Sequence, residues 1–419
     1  MKKTLEILLY ITIFCALLGP NLIGINIPMI GSLTPYRFIS IILTVLLIYY
    51  FIKTNKKIKL TSNVYIIMII FFVFILQNLI MIIINENPYE AIAKIINLLF
   101  SILIIFLIYN ISTNDRISEN IIKTIYIFYI VAVITSLYEI YTGNYFFEVA
   151  GLSVRKNSLN LYHPIGMFYN TNGMACFLSI MFPLIYDKRI FKKDWLNFIV
   201  SNVLLVVSIF ICLAADCRLA LIYFVMFIIY NIFFKLLKDK KKVKAKKFFS
   251  IIGIFCVMIF CFTHFYGQIE ILREQILSVN NKEDASINIR SNLIIDGLDM
   301  VAKSGFMGIG TGNFETKILN YDNVGNIRNA HNFIIEIFTE NGIIIFTLCA
   351  ILYIKIILNI YHKVKNETNT INKRFMLNLL FTVITFPIYS SINSSSYAYM
   401  PLWIIIAIWI IFAYKKEKE

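Results

Sequence analysis

Residues 63–84 read NVYIIMIIFFVFILQNLIMIII, an apolar run without a single charged side chain. A helix that crosses a membrane needs about 20 such residues, because each residue advances it by about 1.5 Å. Similar runs recur along all 419 residues, of which 59% are hydrophobic. A soluble domain of this size must carry more polar surface, and the runs lack the alternation of a β-barrel. The chain is therefore predicted to be an all-α, polytopic integral membrane protein.

About twelve transmembrane helices are predicted, and residues 1–419 are treated as a single membrane domain. With the N-terminus inside, 28 of the 39 Lys and Arg residues fall on the cytoplasmic side, as the positive-inside rule requires. Both termini are thus expected in the cytoplasm, in a multi-pass protein of the cell membrane. This distribution accounts for the net charge of +15 without a nucleic-acid partner. The spans are 5–22, 36–52, 63–84, 91–110, 121–142, 166–186, 195–214, 218–237, 248–266, 331–359, 375–391 and 398–414.

Neither a metal site nor a disulfide framework is indicated. The seven cysteines lie in or at the ends of predicted spans and form no CxxC pair. No Asp-x-Asp motif and no cluster of His and Cys stands out, so the usual ligand patterns of structural and catalytic metals are missing. No cofactor is predicted.

The long polar segment 267–330 is predicted to be an extracytoplasmic loop between the ninth and tenth spans. It is too long to be a simple connection, and long loops of this kind commonly carry function. Apolar residues recur at helical spacing in Ile269–Val279 and in Ile287–Ala302, which predicts short helices on the membrane face. Four glycines then end any helix. They are Gly305, Gly308, Gly310 and Gly312.

The apolar stretch that follows this loop is longer than one crossing of the bilayer requires. Residues 342–359 alone nearly span it. Residues 331–341 are therefore expected to form helical turns near the outer interface.

The two predicted faces differ in the kind of cation they carry. The cytoplasmic segments hold 25 Lys and 3 Arg, whereas the outer face holds 5 Lys, including Lys94, and 6 Arg. A guanidinium group binds phosphate through two parallel hydrogen bonds, which an ammonium group cannot do. The pattern indicates a phosphorylated ligand outside, although chance explains so small a number equally well. The six arginines are Arg37, Arg155, Arg218, Arg273, Arg290 and Arg328.

Two of these arginines are candidates for anion binding. Arg218 ends the hairpin Ala214-Ala215-Asp216-Cys217-Arg218 at the outer edge of two spans. A charge so close to lipid lines a cavity or is paired, here with Asp216. Arg290 lies early in the amphipathic stretch of the long loop, where it binds a phosphate or merely contacts solvent and lipid headgroups.

His331 is the candidate for proton chemistry, because it follows the polar loop and precedes a helix. A lone histidine is more often structural. Glu336 and Glu340 share a helix face, where they either orient a base or are simply solvated. The glycines of the loop either present N–H groups to an anion or form a tight turn.

Residues 290–342 resemble the O-antigen ligase/polymerase family of bacterial membrane glycosyltransferases. The resemblance starts with an Arg that opens a helix. It continues with Gly308-Ile309-Gly310-Thr311-Gly312-Asn313-Phe314, then Ala330-His331-Asn332, then Glu340-Asn341-Gly342. Upstream, Gly166-Met167-Phe168-Tyr169-Asn170-Thr171-Asn172 and the hairpin Arg218 also agree. Three positions depart from the family pattern: Thr171 replaces Pro, His163 replaces Arg and Cys217 replaces Ser.

The resemblance implies metal-independent transfer of an undecaprenyl-diphosphate-linked glycan to an acceptor hydroxyl on the outer face of the cytoplasmic membrane. Arg218 and Arg290 would stabilise the diphosphate as it leaves. His331 would act as the base or position the acceptor. Further substrate contacts are expected from Arg155, His163, Asn172, Gly310, Asn332 and Glu340.

Several functions remain open at this point. A polymerase of capsule or O-antigen repeat units is favoured over a ligase that moves finished glycan to a lipid or wall acceptor. The expected partners are the lipid-linked oligosaccharide, a glycan or lipid acceptor, the lipid bilayer, and a flippase and chain-length regulator. A flippase or other transporter is less favoured, since transporters place charges near the bilayer midplane and show internal repeats. A non-catalytic scaffold is less favoured still.

Overall fold

The structure is a computed structural model, and it describes most of the chain. The described residues are 1–18, 24–27, 31–55, 62–82, 88–112, 115–147, 154–157, 159–186, 193–238, 285–321, 329–392 and 397–414.

These residues form a helical bundle. Its first helices are α1 (Lys2–Leu17), α2 (Pro35–Thr54), α3 (Ser62–Met81), α4 (Pro88–Ile111), α5 (Asp115–Thr142), α6 (Thr171–Tyr186), α7 (Asp194–Ala214) and α8 (Arg218–Lys238). The later ones are α9 (Ala285–Lys303), α10 (Phe314–Lys317) with a 3-10 turn at Ile318–Asn320, α11 (Phe333–Asn366), α12 (Thr370–Ile384), α13 (Phe386–Tyr389) and α14 (Met400–Tyr414).

Helices lie over eleven of the twelve predicted spans. The ninth, 248–266, lies outside the described residues, as does the helix expected at Ile269–Val279. Among the described residues, six helices are long and apolar enough to cross a membrane: α2, α3, α4, α5, α7 and α11. The helices α6, α8 and α14 also contain apolar stretches, which are shorter. The chain is thus a multi-pass helical membrane protein.

One small element was not predicted. Ile25–Ile27 and Gly31–Leu33 pair as an antiparallel hairpin, with Ile25 opposite Leu33. The Gly and Pro residues of segment 23–35 by themselves indicate only a surface turn. This pair of three-residue strands leaves the all-α character of the bundle unchanged.

The interior of the bundle is built on α6 and α14. Every residue from Gly173 to Tyr186 is buried, and α14 is buried along almost its whole length. The helix α6 packs against α5, α7, α8 and α12, and α14 packs against α4 and α11. These two helices therefore hold the other helices in place.

The second half of the long loop forms a module with its own small core. The helix α9 confirms the prediction for Ile287–Ala302, and the backbone leaves the helix at the glycines that follow, each with positive φ. Beneath this module lies a cluster of buried apolar side chains that joins α9, the glycine loop and the approach to α11. Its members are Leu293, Met300, Ile309, Phe314, Ile318 and Ala330.

The long helix α11 is broken at Gly342, where φ is 74° and ψ is −174°. This is where the expected outer turns end and the expected membrane-crossing part begins. A Cβ on Gly342 would lie 2.4 Å from the backbone carbon of Met307, and one on Gly308 would lie 2.6 Å from the Glu340 carbonyl oxygen. The glycine loop and the broken helix therefore touch backbone to backbone, which only glycine permits.

Candidate functional site

The hairpin between α7 and α8 brings Arg218 to the end of the bundle. Asp216 takes up the left-handed conformation with φ 51°, which short polar residues tolerate. The Cys217 N–H donates to the Cys212 carbonyl at 3.1 Å and the Asp216 N–H donates to Leu213 at 3.1 Å. These bonds satisfy carbonyls at the end of α7. As a result, α8 begins at Arg218 itself.

The loop before α6 is fixed onto this hairpin by Asn157. Its side-chain amide donates to the carbonyls of Leu213 and Ala214, each at 3.3 Å, and its Oδ1 accepts from Leu159 and Leu161. Asn157 is buried, so one side chain closes the loop and caps α7 at the same time.

A second anchor of this loop is Glu139, at the end of α5. Its buried carboxylate accepts from the Phe146 N–H at 3.1 Å and from the Ile165 and Gly166 N–H groups, both at 2.7 Å. Glu139 thereby joins the start of the loop, at Phe146, to its end at Ile165 and Gly166. Buried carboxylates need such donors because an unpaired charge is costly to bury.

The loop carries His163 to the hairpin. The His163 Nε2 lies 3.5 Å from the Asp216 Oδ2, and the His163 N–H donates to the Arg155 carbonyl at 2.9 Å. Partial burial raises the pKa of Asp216, while His163 and Arg218 each lower it. The Asp216 carboxylate therefore contacts an imidazole of the loop and also interacts electrostatically with the guanidinium of the hairpin.

Arg290 acts electrostatically on His331 and on the hairpin. Burial and, after it, the positive charge of Arg290 lower the pKa of His331 to about 4. Burial raises the pKa of the Cys217 thiol, and Arg290 partly opposes that rise. The charge of Arg290 is therefore felt both by His331 and by the residue next to Arg218.

The state of the His331 ring follows from this environment. Its Nδ1 is buried and has no hydrogen-bond partner among the described residues. With a pKa of about 4 the ring is neutral at physiological pH. His331 also has a left-handed backbone, with φ 48°. The structure thus presents a neutral imidazole, and its pKa lies below the ordinary range near neutral pH that a catalytic base would need.

The remaining residues predicted to bind substrate have varied positions. Arg155 is exposed in the loop, and Asn172 is half-buried in the first turn of α6. Asn332 caps α11, because its Oδ1 accepts from the Ile334 N–H at 3.0 Å and the Ile335 N–H at 3.1 Å. The other two, Gly310 and Glu340, lie in a second polar cluster.

This second cluster, which we call the Lys94 cluster, consists of Lys94, Glu315, Glu336 and Glu340. The Lys94 Nζ lies 3.0 Å from Glu340 and 3.4 Å from each of the other two carboxylates. The Lys94 and Glu340 side chains are 9% and 0% exposed. The cluster ties α4 to the outer part of α11 and to α10. Glu336 and Glu340 are therefore paired in the interior and are not solvated.

The glycine loop docks on this cluster through its N–H groups. Gly310 donates to the Glu340 carbonyl at 2.9 Å, Ile309 donates to the Thr339 carbonyl at 3.0 Å, and Gly312 donates to the Glu340 Oε1 at 2.9 Å. These N–H groups are already used within the protein. Of the two sequence interpretations of the glycines, a tight packed turn is the one that the geometry supports.

Sequence reasoning counted Lys94 only as an outer-face cation and did not single out Glu139 or Asn157. For the two charged residues a signal was present, since each is an ionisable group within an apolar span. For Asn157 no local pattern distinguishes a capping amide from any other loop asparagine. Among the described residues, no three His, Cys, Asp or Glu side chains are placed to hold a metal ion.

Fold and site together define a class: a multi-pass helical membrane protein with arginine and histidine side chains gathered at the ends of its helices. Within this class, the family model described as O-antigen ligase matches residues 203–350, which supports the O-antigen ligase/polymerase family. The match includes Arg218, Arg290 and His331, whereas Arg155 and His163 lie before it. No match was found among curated proteins.

Proposed function

We propose that this protein transfers an undecaprenyl-diphosphate-linked glycan to an acceptor hydroxyl and thereby polymerises repeat units of a surface polysaccharide. The observation that carries the proposal is the electrostatic effect of Arg290 both on His331 and on Cys217, the neighbour of Arg218. Two guanidinium groups beside a neutral imidazole suit a reaction in which a diphosphate leaves and a hydroxyl attacks. The family match supports the same type of chemistry.

The proposed orientation places this region outside the cytoplasm. In the proposed topology the chain crosses the membrane twelve times, both termini lie in the cytoplasm, and the loop at 267–330 is extracytoplasmic. The excess of lysine in the opposite set of segments supports it. In this orientation the site meets the headgroup region, where a polyprenyl tail can remain in lipid while its diphosphate reaches Arg218 and Arg290.

The proposed roles follow from the charges. Arg218 and Arg290 bind the diphosphate through forked hydrogen bonds and stabilise the negative charge that develops on it as the glycosidic bond breaks. Cationic side chains thus supply what a divalent metal supplies in other glycosyl transfers, so the proposed reaction is metal-independent. The neutral His331 ring accepts a hydrogen bond from the acceptor hydroxyl and holds it near the anomeric carbon. By analogy with the family, the transfer inverts that carbon.

The competing assignment within the same chemistry is a ligase, which moves a finished glycan to a lipid or wall acceptor. The matching family model is described as O-antigen ligase, and this description favours the ligase assignment. Both activities use the same leaving group and differ only in the acceptor. We favour polymerisation, with a flippase and a chain-length regulator as functional partners.

The experiment is to incubate the purified protein with a lipid-diphosphate repeat unit and to measure product length by gel electrophoresis. A ladder of products identifies a polymerase, and a single transfer to an added acceptor identifies a ligase. Movement of the lipid across a vesicle without any new glycosidic bond would refute the proposal and identify a flippase. The His331→Ala variant should insert and fold but form no product. As its matched control, His362→Ala changes an exposed histidine near the other end of α11 and should keep full activity.

A further inference from the structure

Two imidazoles flank the two arginines of the site, and their surroundings differ in charge. His331 lies beside Arg290, which disfavours a positive charge on the ring. His163 lies beside Asp216, with the Nε2 and Oδ2 atoms 3.5 Å apart. A carboxylate next to an imidazole stabilises the imidazolium and orients the ring. The two histidines are therefore suited to different steps.

We propose that His163, oriented by Asp216, is the catalytic base that takes the proton from the acceptor hydroxyl. This inference rests on the proposed glycan transfer. It identifies the atom that receives the proton of the acceptor hydroxyl. The hydroxyl O–H bond breaks and the proton goes to the Nδ1 of His163. The oxygen forms a bond to the anomeric carbon, and the bond from that carbon to the diphosphate oxygen breaks. The electron pair of that bond stays on the diphosphate, which leaves with the lipid.

The geometry supports this tautomer. Because Nε2 faces the carboxylate, a neutral His163 carries its hydrogen on Nε2 and keeps Nδ1 as a proton acceptor. The 3.5 Å contact is long for a hydrogen bond, as catalytic contacts often are before substrate binds. The ring remains reachable, since the side chain is 21% exposed and that of Asp216 is 52% exposed. The proton can thus pass to water after the transfer.

The position of His163 is fixed by its neighbours. Its backbone N–H is bonded to Arg155, and the Asn157 side chain holds the same loop to the end of α7. Asp216 is fixed by the tight hairpin, in which its N–H donates to Leu213. Both members of the pair therefore stand on anchored backbone, as a catalytic dyad requires.

Charged residues near His163 come from both the hairpin and the loop. The hairpin contributes Asp216 and Arg218, and the loop itself contributes Arg155 and Lys156, whose ammonium stacks on Tyr162 at 4.6 Å. Asp216 is the carboxylate in direct contact with the ring. Its removal should therefore leave the ring without the contact that orients it.

His331 is less suited to this step. It is buried and beside a cation, which holds its pKa at about 4, so it gains a proton less readily than an ordinary imidazole. Its role in the proposed reaction is to accept a hydrogen bond. The division of labour between a positioning imidazole and a proton-accepting imidazole follows from their two environments.

The test uses the full-length protein in detergent, a lipid-diphosphate repeat unit as substrate, and turnover measured across pH. We expect His163→Ala to lower kcat by about 100-fold or more with KM for the lipid substrate changed less than about threefold. Added imidazole should restore part of kcat, because the free base can enter the partly exposed site left by the truncated side chain. The same imidazole should have no effect on wild type or on His362→Ala.

The second arm is Asp216→Asn, with Asp299→Asn in α9 as the matched control. Without the carboxylate the ring loses the contact that orients it, so kcat should fall while KM for the lipid substrate changes little. The control should keep the kcat of wild type.

The outcomes separate the inference from the proposed function. If wild type forms no glycosidic product, the proposed function fails. If wild type is active and His163→Ala is equally active or is not rescued by imidazole, or if Asp216→Asn keeps the wild-type kcat, then the dyad is refuted and glycan transfer stands.

Discussion

Replacement of Lys94 by Met tests whether the Lys94 cluster holds the outer part of α11 in place. The Nζ lies within 3.0 to 3.4 Å of three carboxylates, and the Glu336 and Glu340 side chains are only 4% and 0% exposed. Methionine keeps the length of the apolar stem and removes the ammonium. The two buried carboxylates then lose their common counter-ion and repel one another.

The expected loss of stability is large. Removal of one partner of a buried ion pair costs about 3–5 kcal/mol, because the other charge stays buried without compensation. In a chain of this size the midpoint of thermal unfolding should fall by several degrees. The measurement is the thermal unfolding of purified protein in detergent, followed by the loss of the monodisperse peak in size-exclusion chromatography.

Two further variants make the result specific. Lys303→Met breaks an exposed ion pair with Asp299 and should change the midpoint little, since exposed pairs contribute weakly. The double variant Lys94→Met with Glu340→Gln removes one of the stranded charges and should recover part of the loss. If Lys94→Met unfolds at the wild-type temperature, the cluster is not what stabilises this region.

Three other predictions follow from the site and the fold. Arg290→Lys should lower kcat/KM by about tenfold or more, nearly as much as Arg290→Ala, because a single ammonium cannot reproduce forked contacts to phosphate; a fully active Lys variant in the glycan-transfer assay would contradict this. Gly308→Ala should destabilise the protein by about 1–3 kcal/mol in thermal unfolding, since φ is +91° and a Cβ would lie 2.6 Å from the Glu340 carbonyl oxygen; an unchanged midpoint would exclude the close backbone contact. Because the pKa of His331 is lowered from 6.5 to about 4, unfolding takes up a proton between these values and wild type should lose stability as pH falls through this window; His331→Gln should lose less over that range, and identical pH profiles would show that the ring is not buried.

Much of the fold could be read from local patterns. Apolar runs predicted the helices at 36–52, 91–110 and 195–214, because a helix in lipid satisfies its own backbone and depends little on its neighbours. The glycines at 305–312 predicted the end of a helix for an equally local reason. The excess length of the apolar stretch predicted outer helical turns before Gly342, but it did not predict the break of the helix at that residue. The proposal that Arg218, Arg290 and His331 act together comes from the family resemblance.

Other features depend on partners distant in the chain. Lys94 lies some 240 residues from the carboxylates of α11, and no periodicity predicts which charges will meet. Asn157 caps a helix that ends more than 50 residues later. The assignment of Gly310 and Glu340 to the packed interior likewise required the contacts of α4 and α11.

The sequence by itself determined the class of the protein, the positions of most helices and the residues around which its chemistry is proposed, because burial in lipid and helix formation are decided by composition over about 20 residues. Only the tertiary structure decided the state of each ionisable group. The pKa of His331 depends on burial and on Arg290 across the fold, and the environment of His163 depends on a carboxylate from another hairpin. Electrostatic energies act through space and not along the chain, so chemical roles emerge only when the helices are packed.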